Sequence, residues 1–75
     1  MEGNTERSFA ITVGYRGSTQ RFLAVDSSCR SDVDDKWSSA RCRIDSLAKS
    51  NLEVVDFFLA VQSTIREFGF SLVRE

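Results

Sequence analysis

Apolar and polar residues alternate without interruption over residues 8–16. Phe9, Ile11, Val13 and Tyr15 fall on one side; Ser8, Ala10, Thr12, Gly14 and Arg16 fall on the other. A period of two built from β-branched and aromatic residues predicts a half-buried strand. Gly17-Ser18 reads as a hairpin turn, glycine taking the positive φ of a type II′ turn, and residues 19–26 as the returning strand. Two registers compete. A two-residue loop pairs Val13 with Phe22 and sets Phe22 and Ala24 beside the apolar face of the first strand. A three-residue loop pairs Val13 with Leu23 and sets Leu23 and Val25 there instead, because one residue of slip exchanges the faces. Gly14 inside the strand suggests a bulge.

The period changes after the polar connection 27–31. Val33, Trp37, Ala40, Ile44, Leu47 and Ala48 recur at helical spacing in a stripe about 100° wide, which makes Trp37 a core residue. Ser31, with Asp34 three positions on, resembles a capping box, and Asp32, Asp34 and Asp35 suit the positive end of a helix dipole. Ser50-Asn51-Leu52-Glu53 reads as a second box, ending the first helix near Lys49 and starting the second at about Asn51. The second helix carries Leu52, Val54, Val55, Phe57, Phe58, Leu59, Val61, Ile65 and Phe68 over an arc of about 220°. Gly69 stops it, and residues 70–74 read as a short third strand.

The order β-β-α-α-β predicts an α+β fold: a three-stranded antiparallel sheet packed against two helices in two layers. The second helix is expected in the middle, touching both the sheet and the first helix. Residues 1–7 read as a flexible N-terminal tail and residues 8–75 as a single compact α+β domain.

Composition narrows the function by exclusion. The 75-residue chain holds 10 basic and 11 acidic residues and no histidine. Without histidine there is no Ser-His or Cys-His nucleophile pair and the commonest zinc ligand is missing. Cys29 and Cys42 are not a C-x-x-C pair; their separation allows one disulfide without requiring it, and two free thiols are the leading expectation. Cys42 projects away from the apolar stripe, as an exposed thiol. Asp32-Val33-Asp34-Asp35 is the densest acidic cluster, but Lys36 and Trp37 stand where an EF-hand loop needs a ligand and a glycine. The expectation is therefore no catalytic residues, no metal, no cofactor and no enzyme. The longest apolar run, 57–61, is far short of the ~20 residues of a membrane span. The polar N-terminus reads as neither signal peptide nor myristoylation site. A soluble, cytoplasmic protein with no membrane partner is expected.

What remains is binding. An apolar arc wider than one packing interface leaves surface for a partner. The expectation is a non-enzymatic protein–protein interaction module, a small inhibitor or adaptor acting on a larger protein. Domains of this size are frequent among phage and mobile-element accessory proteins, anti-defence inhibitors included. The candidate partner-binding residues are Arg16, Arg21, Asp34, Asp35, Arg41, Arg43, Phe57 and Leu59. The alternative is nucleic-acid binding through Arg16, Arg21, Arg41 and Arg43, since arginine is the better reader of phosphates and bases. The net charge of −1 argues against it. A homodimer is compatible with either reading.

Overall fold

The computed structural model describes residues 7–26 and 32–73. Five elements follow in the expected order: β1 (Arg7–Tyr15), β2 (Ser18–Asp26), α1 (Val33–Ala48), α2 (Val54–Glu67) and β3 (Ser71–Val73). The strands form one antiparallel sheet in the order β1-β2-β3, so β2 is central and β1 and β3 are the edges. The fold is α+β with one helical layer. Residues 1–6, most of the expected tail, lie outside the described residues. Arg7 belongs to β1, where it pairs in register with Asp26.

Neither expected hairpin register occurs. The turn is Arg16-Gly17, with φ of 52° and 84°. Two consecutive positive values mark the type I′ geometry, whose twist matches that of the strands. Glycine therefore holds the second corner, and the turn lies one residue earlier than expected. Tyr15 pairs with Ser18, Val13 with Gln20 and Ile11 with Phe22. This register differs by two residues from the two-residue-loop expectation. Because the side-chain period is two, the faces survive: Phe22 and Ala24 share the face of Val13 and Tyr15, and all four are buried. Leu23 and Val25 are on the other side. Pairing runs unbroken through Gly14 opposite Thr19, so there is no bulge there.

On α1 the buried residues are Val33, Trp37, Ala40 and Ile44, the core of the expected stripe. Ala48, at its end, is exposed. The N-cap is Asp32, without a side-chain capping bond. Ser31, expected in that role, falls outside the described residues. The second capping box does not form either. The cap of α2 is Glu53 in an extended conformation, again with no side-chain capping bond. The segment before it is held otherwise. The Ser50 amide donates to the Leu47 carbonyl at 2.9 Å, finishing α1 with a tight turn. The Tyr15 hydroxyl lies 2.7 Å from the Leu52 carbonyl and 3.0 Å from that of Ser50, and accepts from the Leu52 amide at 3.0 Å.

The end of α2 matches the expectation. Gly69 has φ +93°. Its amide donates to the Arg66 carbonyl at 2.9 Å, and that of Phe70 to the Ile65 carbonyl at 3.2 Å. This is a Schellman motif, and Ile65 and Phe70 supply the apolar contact that accompanies it.

Two aromatic groups fill the space between the layers. Phe9 stacks on Trp37 at 5.1 Å, and Phe70 meets both rings edge-on. Tyr15 stacks on Phe57 at 4.0 Å, Phe57 meets Phe58 edge-on, and Phe58 reaches Phe22. The first group joins β1, α1 and the approach to β3; the second joins the hairpin to α2. As expected, α2 touches α1, β2 and β3.

Candidate functional site

At 100° per residue, the buried residues of α2 (Phe57, Phe58, Val61, Thr64 and Ile65) occupy an arc of about 120°. Val54 and Phe68 fall inside that arc as partly buried neighbours. Val55, Leu59, Gln62 and Arg66 recur at i, i+4, i+7 and i+11 and face the opposite way. Val55 is 69% exposed and Leu59 54% exposed, the largest values among the large apolar side chains of the described residues. The apolar arc of this helix is thus wider than the surface that sheet and α1 cover.

The stripe continues into a groove. Gln62 and Arg66 form one wall of a depression of about 260 Å³; Gln20, Arg21 and Phe22 of β2 and Leu72 and Val73 of β3 complete it. It exists because β3 is short. Val73 pairs with Leu23, and no described strand lies beside β2 from Ser18 to Phe22 on that side. Val73, at its rim, is the third exposed large apolar residue, at 44%. Its charged lining residues are both arginines, and among the described residues neither has an ion-pair partner.

The residues expected to bind a partner divide between this surface and other places. Leu59 is on the stripe and Arg21 in the groove. Phe57 is fully buried, stacked under Tyr15, and is a core residue, not a contact residue. Arg16 sits at the hairpin turn, donates to Asn51 Oδ1 at 2.7 Å and lies over the Tyr15 ring. Arg43 lies over Phe68 at 5.8 Å. Asp34 pairs with Arg7 at 2.9 Å, and Asp35 is exposed beside it in the first turn of α1. Both members of that pair are at least half exposed, so it contributes about 0–1 kcal/mol and weakens with salt. Arg41 lines a second groove, between α1 and β1. The four arginines of the nucleic-acid alternative therefore have four different sets of neighbours.

Val55 and Arg66 belong to the site and were not singled out from the sequence. Their signal was present, since Val55 precedes Leu59 by one turn. Cys42 is exposed on the side of α1 away from the core, as its position predicted, and its thiol is free. Cys29 lies outside the described residues. Among the described residues no three His, Cys, Asp or Glu side chains cluster as metal ligands. No described helix is long and apolar enough to cross a membrane. Comparison with protein-family models, with curated proteins and with solved structures found no match.

Proposed function

We propose that this chain is a non-enzymatic protein-interaction module, a small adaptor or inhibitor that docks on a larger protein. The docking face is the outer stripe of α2 together with the adjoining groove. The observation that carries the reading is the exposure of Val55 and Leu59 on one face of a helix whose opposite face is packed. Two aliphatic side chains one turn apart, continued by Arg66 and Arg21 in a mainly polar groove, form the kind of anchor-and-rim surface that binds protein. Burying what remains exposed of the two aliphatics contributes about 1–2 kcal/mol each.

The test is capture of partners from a lysate of the source organism by the tagged chain, with and without nuclease. The reading expects one protein retained in stoichiometric amount after nuclease. The double variant Val55→Glu/Leu59→Glu should lower its capture roughly tenfold or more, with unchanged circular dichroism and denaturant midpoint. Capture that survives the double variant, or disappears with nuclease, overturns the reading.

A further inference from the structure

The two edges of the sheet are unequal. Among the described residues β3 presents three, and the open stretch of β2 beside it, Ser18–Phe22, is set back by the width of a strand, so neither gives a long straight edge to template another strand. β1 presents nine, and among the described residues neither proline, bulge nor a mid-strand charge protects them. Pairing with β2 is continuous. The single charge, Arg7, is at the end of the strand, its guanidinium held by Asp34. An unprotected edge of this length invites a strand.

We infer that the strand is β1 of a second copy, related by a two-fold axis through Ile11. A two-fold axis makes the edges antiparallel and requires the surface to complement itself. Centred on Ile11, it opposes Phe9 to Val13 of the other copy and Arg7 to Tyr15, so all nine residues overlap. Odd-numbered residues meet odd-numbered ones. The helix-facing apolar side of one copy is then continuous with that of the other. The side-chain rows that meet on the open face are Ser8, Ala10, Thr12 and Gly14, small residues without charge. The two sheets become one of six strands with the helices on one side.

The groove between β1 and α1, about 190 Å³, says what the second copy meets next. Ile11 and Ile44 line its apolar part, and Arg41 and Asp45 stand on its α1 wall. Both charged residues are exposed, and among the described residues neither has an ion-pair partner, not even the other. The axis sets the two α1 helices antiparallel across the junction. Arg41 of one copy then faces Asp45 of the other, and the reciprocal pair forms by symmetry. The α2 stripe and its groove lie toward the opposite edge of the sheet, and the dimer leaves them open.

The test is analytical ultracentrifugation of the whole chain over a range of concentration, with charge-reversed variants. Wild type should populate a monomer–dimer equilibrium. Arg41→Glu sets a carboxylate against Asp45 of the other copy, and Asp45→Arg sets a second guanidinium against Arg41. Each reversal should weaken its homodimer roughly tenfold or more. Mixed in equal amounts, the two variants should form a heterodimer tighter than either homodimer, because one cross-pair then joins the native Arg41 and Asp45 and the other joins the same charges exchanged. A change within one helix cannot produce that rescue. Exposure of both positions keeps the fold intact, which circular dichroism checks. The inference is overturned by a wild-type chain that stays monomeric throughout. It is equally overturned by a dimer indifferent to both reversals, or by weakened variants that do not recover on mixing.

Discussion

Tyr15 ties the hairpin to the linker between the helices. Its ring lies flat on Phe57 at 4.0 Å, and its hydroxyl serves both the carbonyl and the amide of Leu52. A backbone segment outside helix and sheet needs such a partner, because its polar groups have no ladder to join. Tyr15→Phe keeps the stack and removes the hydroxyl, leaving the Leu52 amide without that acceptor in a part-buried place. The expected loss is about 1–2 kcal/mol, read as a lower urea midpoint at unchanged slope. Strand periodicity showed Tyr15 to be an inward residue. Its hydroxyl partners lie 35 and 37 positions along the chain, beyond the reach of any local pattern.

The helices show where local signals suffice and where packing overrides them. The stop at Gly69 was legible because it is a backbone requirement: φ of +93° is a conformation open to glycine and strained for other residues. The start of α2 was not. Ser50 and Glu53 have the right spacing for a capping box, yet the Tyr15 contacts hold this segment out of the helix until Val54. Glu53 is left as the cap, and α2 begins without a side-chain acceptor for its first amides. Glu53→Ser sets a short side-chain oxygen where it can accept from the Asp56 amide. A gain of about 0.5–1 kcal/mol is the expected outcome in thermal or urea unfolding. A similar contest decides the hairpin. Gly17 marked the turn, but its two possible corners imply different loops, and the twist of the paired strands selected type I′.

At the scale of the whole molecule, the two proposed surfaces lie toward opposite edges of one sheet. The α2 stripe with its groove is on the β3 side, and the Arg41–Asp45 wall is on the β1 side. Sites with no shared contacts act independently. Arg41→Glu should therefore leave the intrinsic affinity of one α2 face unchanged, and Val55→Glu/Leu59→Glu should leave self-association unchanged. Titrating each variant in the other's assay checks this. Should a dimer meet a partner that carries two sites, Arg41→Glu would lower the apparent affinity through lost bivalency alone.

Periodicity by itself determined the elements, their order and the inward faces of β1 and α1, because a buried face must be apolar at the spacing of its backbone geometry; it left the inward face of β2 open between two registers, which the pairing of the strands decided. It also determined that α2 has more apolar surface than a single interface covers. It did not determine which part of that surface stays open. Phe57 and Val55 are both apolar members of the same wide arc, and hydrophobicity does not rank one as core and the other as contact. Their burial depends on where the sheet and α1 lie around the helix. That placement follows from long-range pairing, the stacking of Tyr15 on Phe57 and of Phe9 on Trp37, between residues far apart in the chain. Only the tertiary structure decides which side of an amphipathic element meets its own chain and which is left for another.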